Sequence, residues 1–275
     1  MLKFSANLGF LWTELALPNA IIAAGNAGFD AVECHWPFEL QPADISAALA
    51  DSGLPMLGLN TRRGDVDAGD FGLAAIPGRE AEARALIDQA VDYAAAIGAG
   101  AVHVMAGRTD GGKIAEAVYC ENLSYATAVA APHDIEILIE PINRRDVADY
   151  HLSYIEDGVA TIGRVGAANL KLMFDCYHTQ IMQGDLIRRL QDNLAFIGHV
   201  QIAAVPDRGE PAWGNNAGGD NMFDEVNYPG VLKALDAAGY AGYVGAEYRP
   251  RTTTDAGLGW FDAARGLDAG QGRGA

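Results

Sequence analysis

The feature that most constrains this chain is an alternation of short apolar runs with longer amphipathic stretches, repeated along most of its length. The short runs are Lys3–Leu8, Ala31–Cys34, Pro55–Leu59, Ala101–Met105, Ile135–Ile139, Leu170–Phe174, His199–Ile202 and Gly242–Ala246. Each has the length of a strand, and a return to such a run after every helical pattern is the sign of strand–helix units in a parallel sheet. Between the runs the spacing predicts helices over Asp44–Asp51, Arg79–Ile97, Ile114–Ala131, Asp185–Leu194 and Tyr228–Ala238. Gly28, Gly98 and Gly239 stand where helices would end on a left-handed residue. Pro77-Gly78, followed by Glu80 and Glu82, marks a helix start, because acids there meet the positive end of the helix dipole.

Eight such units in 275 residues predict a single (β/α)8 barrel rather than an open sheet. The expected catalytic domain is 1–265, with 266–275, rich in Gly and Ala, as a frayed tail. No G-x-G-x-x-G follows the first strand and no G-x-x-x-x-G-K-S/T occurs, so no nucleotide cofactor is expected. Cys34, Cys120 and Cys176 are an odd number without a C-x-x-C pair, which argues against a disulfide framework and for a reducing, cytoplasmic setting. The apolar start, Met1 to Ala24, is interrupted by Lys3, Asn7, Glu14, Pro18 and Asn19, and no membrane span is expected. A formal charge of −17 repels nucleic-acid backbones and acidic membranes. The expected partner is therefore a small molecule, and if it is an anion, local arginines must outweigh the global field.

In such barrels function lives where strands end and loops begin. The fifth run ends at Glu140, the sixth at Asp175 and the eighth at Glu247, while the seventh carries Gln201. Four consecutive strands thus bring a Glu, an Asp, a Gln and a Glu to one rim. A carboxylate following a buried run must be paired, protonated or metal-bound. Any one of these acids alone could pair with a loop arginine, but three together repel unless a cation joins them. The donors are hard oxygens, with no Cys and no obligatory His, which suits Mg²⁺ or Mn²⁺ over Zn²⁺.

Several runs carry a resemblance: Ile139-Glu140-Pro141-Ile142-Asn143, Phe174-Asp175-Cys176-Tyr177-His178, Gly198 to Ala203, Asp207-Arg208-Gly209-Glu210-Pro211 and Glu247-Tyr248-Arg249-Pro250. The opening Phe4 to Leu8 and Pro77-Gly78-Arg79-Glu80 fit the same pattern. Together they resemble the hydroxypyruvate isomerase family, one of the xylose-isomerase-like barrels, over roughly Leu2 to Trp260. The resemblance implies a metal held by Glu140, Asp175, Gln201 and Glu247, with Glu140 and Glu247 also serving as the acid/base pair. It implies substrate contacts from His178, Arg208, Asp146 and Glu210. The activity it implies is a metal-dependent isomerisation of hydroxypyruvate to tartronate semialdehyde, or of a similar short acid, through an enediolate. A ketose 3-epimerase or a 2-oxo-tetronate isomerase would use the same site. An apurinic-site endonuclease-like phosphodiesterase is a more distant alternative, disfavoured by the acidic charge and by only six histidines, and a non-catalytic barrel by the presence of both acids. The chain departs from the family at Gly64-Asp65-Val66, Ala204, Cys34 and His35, positions that bear on which substrate is used.

The period of two along a strand places His199 on the side of Gln201, as a group behind the ligands. His103, inside a strand, reads as a core histidine; His133 and His151, at helix ends, read as solvated. Arg144, Arg145 and Arg249 follow rim strands and read first as solvated loop residues. Val205–Asn227 is a long connection whose Asn215–Phe223 stretch predicts a substrate cover or a subunit contact, so a homo-oligomer is compatible with the chain.

Overall fold

A computed structural model of the chain describes residues 2–213 and 224–271, the last five of them as backbone alone. The apolar runs form β1 (Lys3–Asn7), β2 (Ala31–Glu33), β3 (Gly58–Asn60), β4 (Ala101–His103), β5 (Glu136–Ile139), β6 (Leu170–Asp175), β7 (Ile197–Ile202) and β8 (Tyr243–Ala246). Their order in the sheet is β2-β1-β8-β7-β6-β5-β4-β3, and every pairing is parallel. The two ends of that order meet. Val32 and Met56 form a parallel bridge, and the Cys34 amide donates to the Gly58 carbonyl at 3.1 Å, which closes the sheet into the (β/α)8 barrel predicted from the sequence.

Around it lie α1 (Leu17–Asn26), α2 (Pro42–Ser52), α3 (Glu80–Ile97), α4 (Lys113–Ala130), α5 (Ile155–Val165), α6 (Cys176–Met182), α7 (Leu186–Asn193), α8 (Tyr228–Ala237) and α9 (Gly259–Gln271). Proline at the first or second position starts α1, α2 and α8, where its missing N–H has no partner to lose. Gly98 ends α3 at φ 71°, a left-handed cap whose amide donates to Ala94 and Ala95. In α5, Gly158 leaves no side chain where a Cβ would lie 2.7 Å from Leu172 Cδ1, so the helix settles directly on β6.

At the C-terminal end α9 runs through Gly266 to Gln271. Its anchor is aromatic. Trp260 and Phe261 meet Phe4 of β1 edge-on at 5.9 and 5.6 Å, and Phe29 stacks on Phe261 at 4.3 Å. All four rings are buried, so the helix fastens the outer face of the β1 end of the sheet by area as well as by ring geometry.

The register sets the level of the site. Asp175 lies opposite Gln201, and Gln201 opposite Gly245; on the far side Asn7 lies opposite Glu33. Residues two apart on these strands point the same way, into the barrel.

Candidate active site

Glu140 and Glu247 directly follow β5 and β8, Asp175 closes β6, and Gln201 sits inside β7. All four are buried. Glu140 and Glu247 line a cavity of about 330 Å³ at the C-terminal end of the barrel together with His103, His178, Asp146 and Arg208, and Asp175 Oδ2 lies 3.6 Å from His178 Nε2.

Three of the four ligand candidates leave a buried oxygen without a hydrogen-bond partner among the described residues, whereas both oxygens of Glu247 are engaged. Asp175 caps α6: its Oδ1 accepts from the Tyr177 amide at 2.7 Å and the His178 amide at 3.4 Å, while Oδ2 has no hydrogen-bond donor. Gln201 donates through Nε2 to Glu33 Oε2 at 2.9 Å, which leaves its buried Oε1 without a partner. Glu140 Oε1 is likewise buried and unpartnered. A buried acceptor without a donor costs on the order of 1–3 kcal/mol. Three such oxygens on the neighbouring strands β5, β6 and β7 are donors of the kind that a hard divalent cation completes. Oxygens of Glu140 and Asp175 and a ring nitrogen of His178 also lie within 4.8 Å of one another, a buried Glu/Asp/His cluster consistent with a divalent metal held by its carboxyl oxygens.

His178 is distinguished from the carboxylates by its tautomer. The Asn143 backbone amide donates to His178 Nδ1 at 3.3 Å, and Asn143 Nδ2 lies 2.6 Å from the same nitrogen. With Nδ1 accepting, a neutral imidazole carries its proton on Nε2, which points between Glu140 Oε1 and Asp175 Oδ2 at 3.6 Å from each. Burial and then the nearby Arg208 charge pull its pKa down to about 3, so the ring is neutral at pH 7 and presents an N–H rather than a lone pair to the cavity.

Arg208 supplies the positive charge beside these acids. Its Nη2 donates to Glu247 Oε2 at 2.6 Å and lies 3.5 Å from Asp175 Oδ2, with the guanidinium flanked by the rings of Phe10 and Tyr177 at 4.8 and 4.9 Å. The backbone at Arg208 is left-handed, φ 57°, and is tied on both sides, its amide to the Ala204 carbonyl and its carbonyl to the Arg249 amide. Such strain in a residue with a side chain persists where its surroundings fix it.

The acids are driven apart. Burial, reinforced by Glu247 and Asp175, pushes the Glu140 carboxyl well above the usual range. Burial and the Glu247 charge raise Asp175 to about 7. Glu247 is equally buried, yet Arg208 and the hydrogen bond from His35 hold it below the carboxylate range. Neighbouring carboxyls in opposite protonation states are the usual arrangement of a proton relay.

Asp146 lies on the cavity wall, accepting from Tyr177 Oη at 2.8 Å and Asn143 Nδ2 at 3.1 Å. His199 and Gln201 both reach Glu33, His199 through Nε2 at 3.1 Å. Gly245 makes room for this contact, since a Cβ there would lie 2.2 Å from Glu33 Oε1 and 2.8 Å from His199 Nε2. Glu210 is not brought to the cavity: it is buried against Arg251, which donates from Nη1 at 2.7 Å and from its backbone amide at 2.9 Å. His103, read as core, instead lines the cavity, its Nδ1 3.7 Å from Glu140 Oε2 and its Nε2 unpartnered. His151, read as solvated, is half-buried, its ring held between Thr109 and Glu116. Asn215–Phe223 lies outside the described residues.

Two residues that sequence reasoning passed over, Glu33 and Asn7, stand behind the candidate ligands, and His35, read only as a departure bearing on the substrate, joins them. Glu33 orients Gln201, Asn7 Nδ2 donates to Glu247 Oε1 at 3.1 Å, and His35 Nε2 meets the same oxygen at 3.3 Å. Asn7 and Glu33 each close an apolar run, the signal that identified the other acids.

The chain is similar to known proteins over nearly its whole length. The Xylose isomerase-like TIM barrel family matches residues 21–264. The 2-oxo-tetronate isomerase of Cupriavidus necator is 45% identical over 264 residues, 95% of this chain and 98% of that protein. The hydroxypyruvate isomerase of Escherichia coli is 38% identical over 268 residues, 96% of this chain and 100% of that protein. A solved structure from Brucella melitensis, described as an AP endonuclease, family 2, superposes with a TM-score of 0.89 at 38% identity, covering 96% of this chain and 99% of that one.

Proposed function

The chain belongs to the hydroxypyruvate isomerase and 2-oxo-tetronate isomerase family of xylose-isomerase-like barrels and is an isomerase of that type, and from this premise we propose that it moves a proton between neighbouring carbons of hydroxypyruvate or a similar short 2-oxo acid. The observation that carries this reading is the set of unpartnered buried oxygens on Glu140, Asp175 and Gln201 beside the ionised Glu247. A divalent cation such as Mg²⁺ or Mn²⁺, held by these four residues, would supply the Lewis acidity that makes a C–H between a carbonyl and a hydroxyl labile. The chain's own groups do the rest. Of the two rim glutamates, one accepts the carbon-bound proton and the other returns one to the neighbouring carbon, while the hydroxyl proton passes to the former carbonyl oxygen, so that the substrate goes through an enediolate and the carbonyl and hydroxyl exchange places. His178 Nε2–H donates to a substrate oxygen, and Asp146 and Arg208 bound the same cavity. Glu33, itself held by Ser5 and His199, keeps the Gln201 amide turned with its oxygen toward the site.

A second reading, a four-carbon 2-oxo-tetronate as substrate, is favoured by the 45% identity to the Cupriavidus necator enzyme. A phosphodiesterase acting on nucleic acid fits less well, because a charge of −17 opposes approach to a polyanion. The test is incubation with hydroxypyruvate, 2-oxo-tetronate and a panel of neutral ketoses in deuterated water, with and without chelator. Deuterium should enter the carbon next to the carbonyl of an acid substrate in a chelator-sensitive reaction. Exchange only into ketoses would reassign the substrate class, and exchange unaffected by chelator in verified metal-free protein would remove the cation from the mechanism.

A further inference from the structure

The cavity wall carries three arginines, and they are not equivalent. Arg208 is committed to Glu247. Arg63 and Arg249 make no side-chain hydrogen bond or ion pair with any described residue. In a chain with 36 acids against 19 lysines and arginines, a guanidinium finds a carboxylate easily; the neighbouring Arg62 pairs with Glu39 at 2.5 Å. Arg63 makes no such pair although it is half-buried in a cavity that acids also line.

Its position is fixed without using its N–H groups. The guanidinium lies over the Trp36 ring at 4.2 Å from the centroid, with the Phe71 ring at 5.7 Å. Trp36 is held in turn by its Nε1, which donates to the Thr61 carbonyl at 3.0 Å, and the Arg63 carbonyl is fixed by the Gly72 amide at 2.8 Å. A guanidinium stacked on an aromatic face keeps its in-plane N–H fork free, and that fork matches the two oxygens of a carboxylate. The stack also connects to the reacting floor. Trp36 lies 5.0 Å ring to ring from His35, and His35 meets Glu247 at 3.3 Å. Arg249, which is exposed, sits on the same wall near Phe10.

We propose that Arg63 is the anchor for the substrate's carboxylate, with Arg249 as a weaker second cation on the same wall, so that this pair selects short 2-oxo acids over neutral ketoses. The inference rests on the isomerase reading of the site and adds to it the feature that admits an anion into a strongly acidic protein. The four rim residues Glu140, Asp175, Gln201 and Glu247 do not discriminate an acid from a ketose, because both offer a carbonyl beside a hydroxyl. The discrimination has to come from the other end of the molecule.

The test uses the Mg²⁺-loaded enzyme and two non-isomerisable probes of like size, D-glycerate and glycerol, with binding read by calorimetry. Wild type should bind glycerate more tightly than glycerol by roughly 30-fold or more, and Arg63→Met should erase most of that gap. Arg63→Lys should recover part of it, since the charge returns without the fork. Arg249→Met should lose only a few-fold, as expected for an exposed cation. In turnover the Arg63→Met effect should fall on KM for the acid more than on kcat, with the melting temperature unchanged. Glycerate affinity equal in wild type and Arg63→Met overturns the proposal even if acids are isomerised. An enzyme that turns over only neutral ketoses, yet loses glycerate on Arg63→Met, would instead leave the anchor standing and sink the acid-isomerase reading. A lowered melting temperature with no recovery in Arg63→Lys would assign Arg63 a structural part and overturn the proposal.

Discussion

Glu116 and Glu140 are both acids set among histidines, and the molecule treats them in opposite ways. Glu116, on α4, receives His151 Nε2 at 3.2 Å, Thr161 Oγ1 at 3.1 Å and the Arg164 guanidinium from α5. The His151 hydrogen bond leads in pulling its carboxyl down to about 2, against partial burial. Glu140, at the barrel rim, has His103 and His178 within 3.7 Å but leaves Oε1 without a donor, and burial drives its carboxyl upward. The seam between α4 and α5 satisfies its charge within the chain and so joins two helices. The barrel floor leaves charge unsatisfied within the chain, and what is missing there must come from outside. The same residue type thus serves stability where its partners are complete and chemistry where they are not.

The largest effect separates the two directly. Glu140→Gln and Glu247→Gln keep an oxygen at each position but remove the proton acceptor. Turnover is expected to drop by roughly 10²-fold or more in each. Glu140→Gln should leave the melting temperature unchanged or raised, because its carboxyl has a buried oxygen without a donor, whereas Glu247→Gln should lower it, because the buried Arg208 loses its carboxylate. Steady-state kinetics beside thermal melts checks both halves. A near-normal rate in either variant would make that residue a ligand only, and a marked loss of stability in Glu140→Gln would erase the contrast with Glu116.

The second effect concerns the cation. A group bound only by the folded state stabilises it by about 2.7 kcal/mol at a hundredfold excess over its Kd. Mg²⁺ or Mn²⁺ should therefore raise the melting temperature of chelator-treated wild type, and activity should return with it. Asp175→Ala should abolish that rise and, by losing the cap of α6, lower the metal-free stability by about 1 kcal/mol. Persistence of the metal-induced rise in Asp175→Ala would take this residue out of the ligand set.

How much of this contrast could be read in the sequence depends on distance along the chain. Glu140, Asp175 and Glu247 were legible because each ends an apolar run, and Gln201 with His199 because a strand alternates its faces. Glu33 and Asn7 obey the same rule but end β2 and β1, outside the four consecutive strands that drew attention. His103 shows a real limit: burial looks the same in sequence whether a side chain meets core or cavity. His151 and Glu210 show another, since their fates are set by Glu116, 35 residues away, and Arg251, 41 residues away. Among the helices, α6 spans only seven residues, α5 contains Gly158 and Gly163, and α9 contains Gly259, Gly266 and Gly270, compositions that weaken a helical pattern until packing overrides propensity. For α9 the override is visible as the Trp260 and Phe261 contacts with Phe4.

The smallest effect lies at the satisfied seam and follows from the direction of its shift. The Glu116 carboxyl moves from an ordinary 4.5 down to about 2 on folding. A depressed folded value means that the stability it contributes is fully present above the unfolded value and is lost as pH falls through the folded one. Glu116→Gln should therefore melt lower than wild type at pH 7 by on the order of 1 kcal/mol, a modest figure because water reaches about a third of the side chain and screens it. The gap should hold constant from pH 7 to about 5, then narrow toward pH 2 as wild type loses the charge that the variant never had. Differences between the two proteins at each pH cancel the acid sensitivity of the other carboxyls. A gap that stays level to pH 2 would mean that packing, not charge, joins α4 to α5. Turnover of Glu116→Gln at pH 7 should match wild type, since this acid lies on α4 and does not line the cavity.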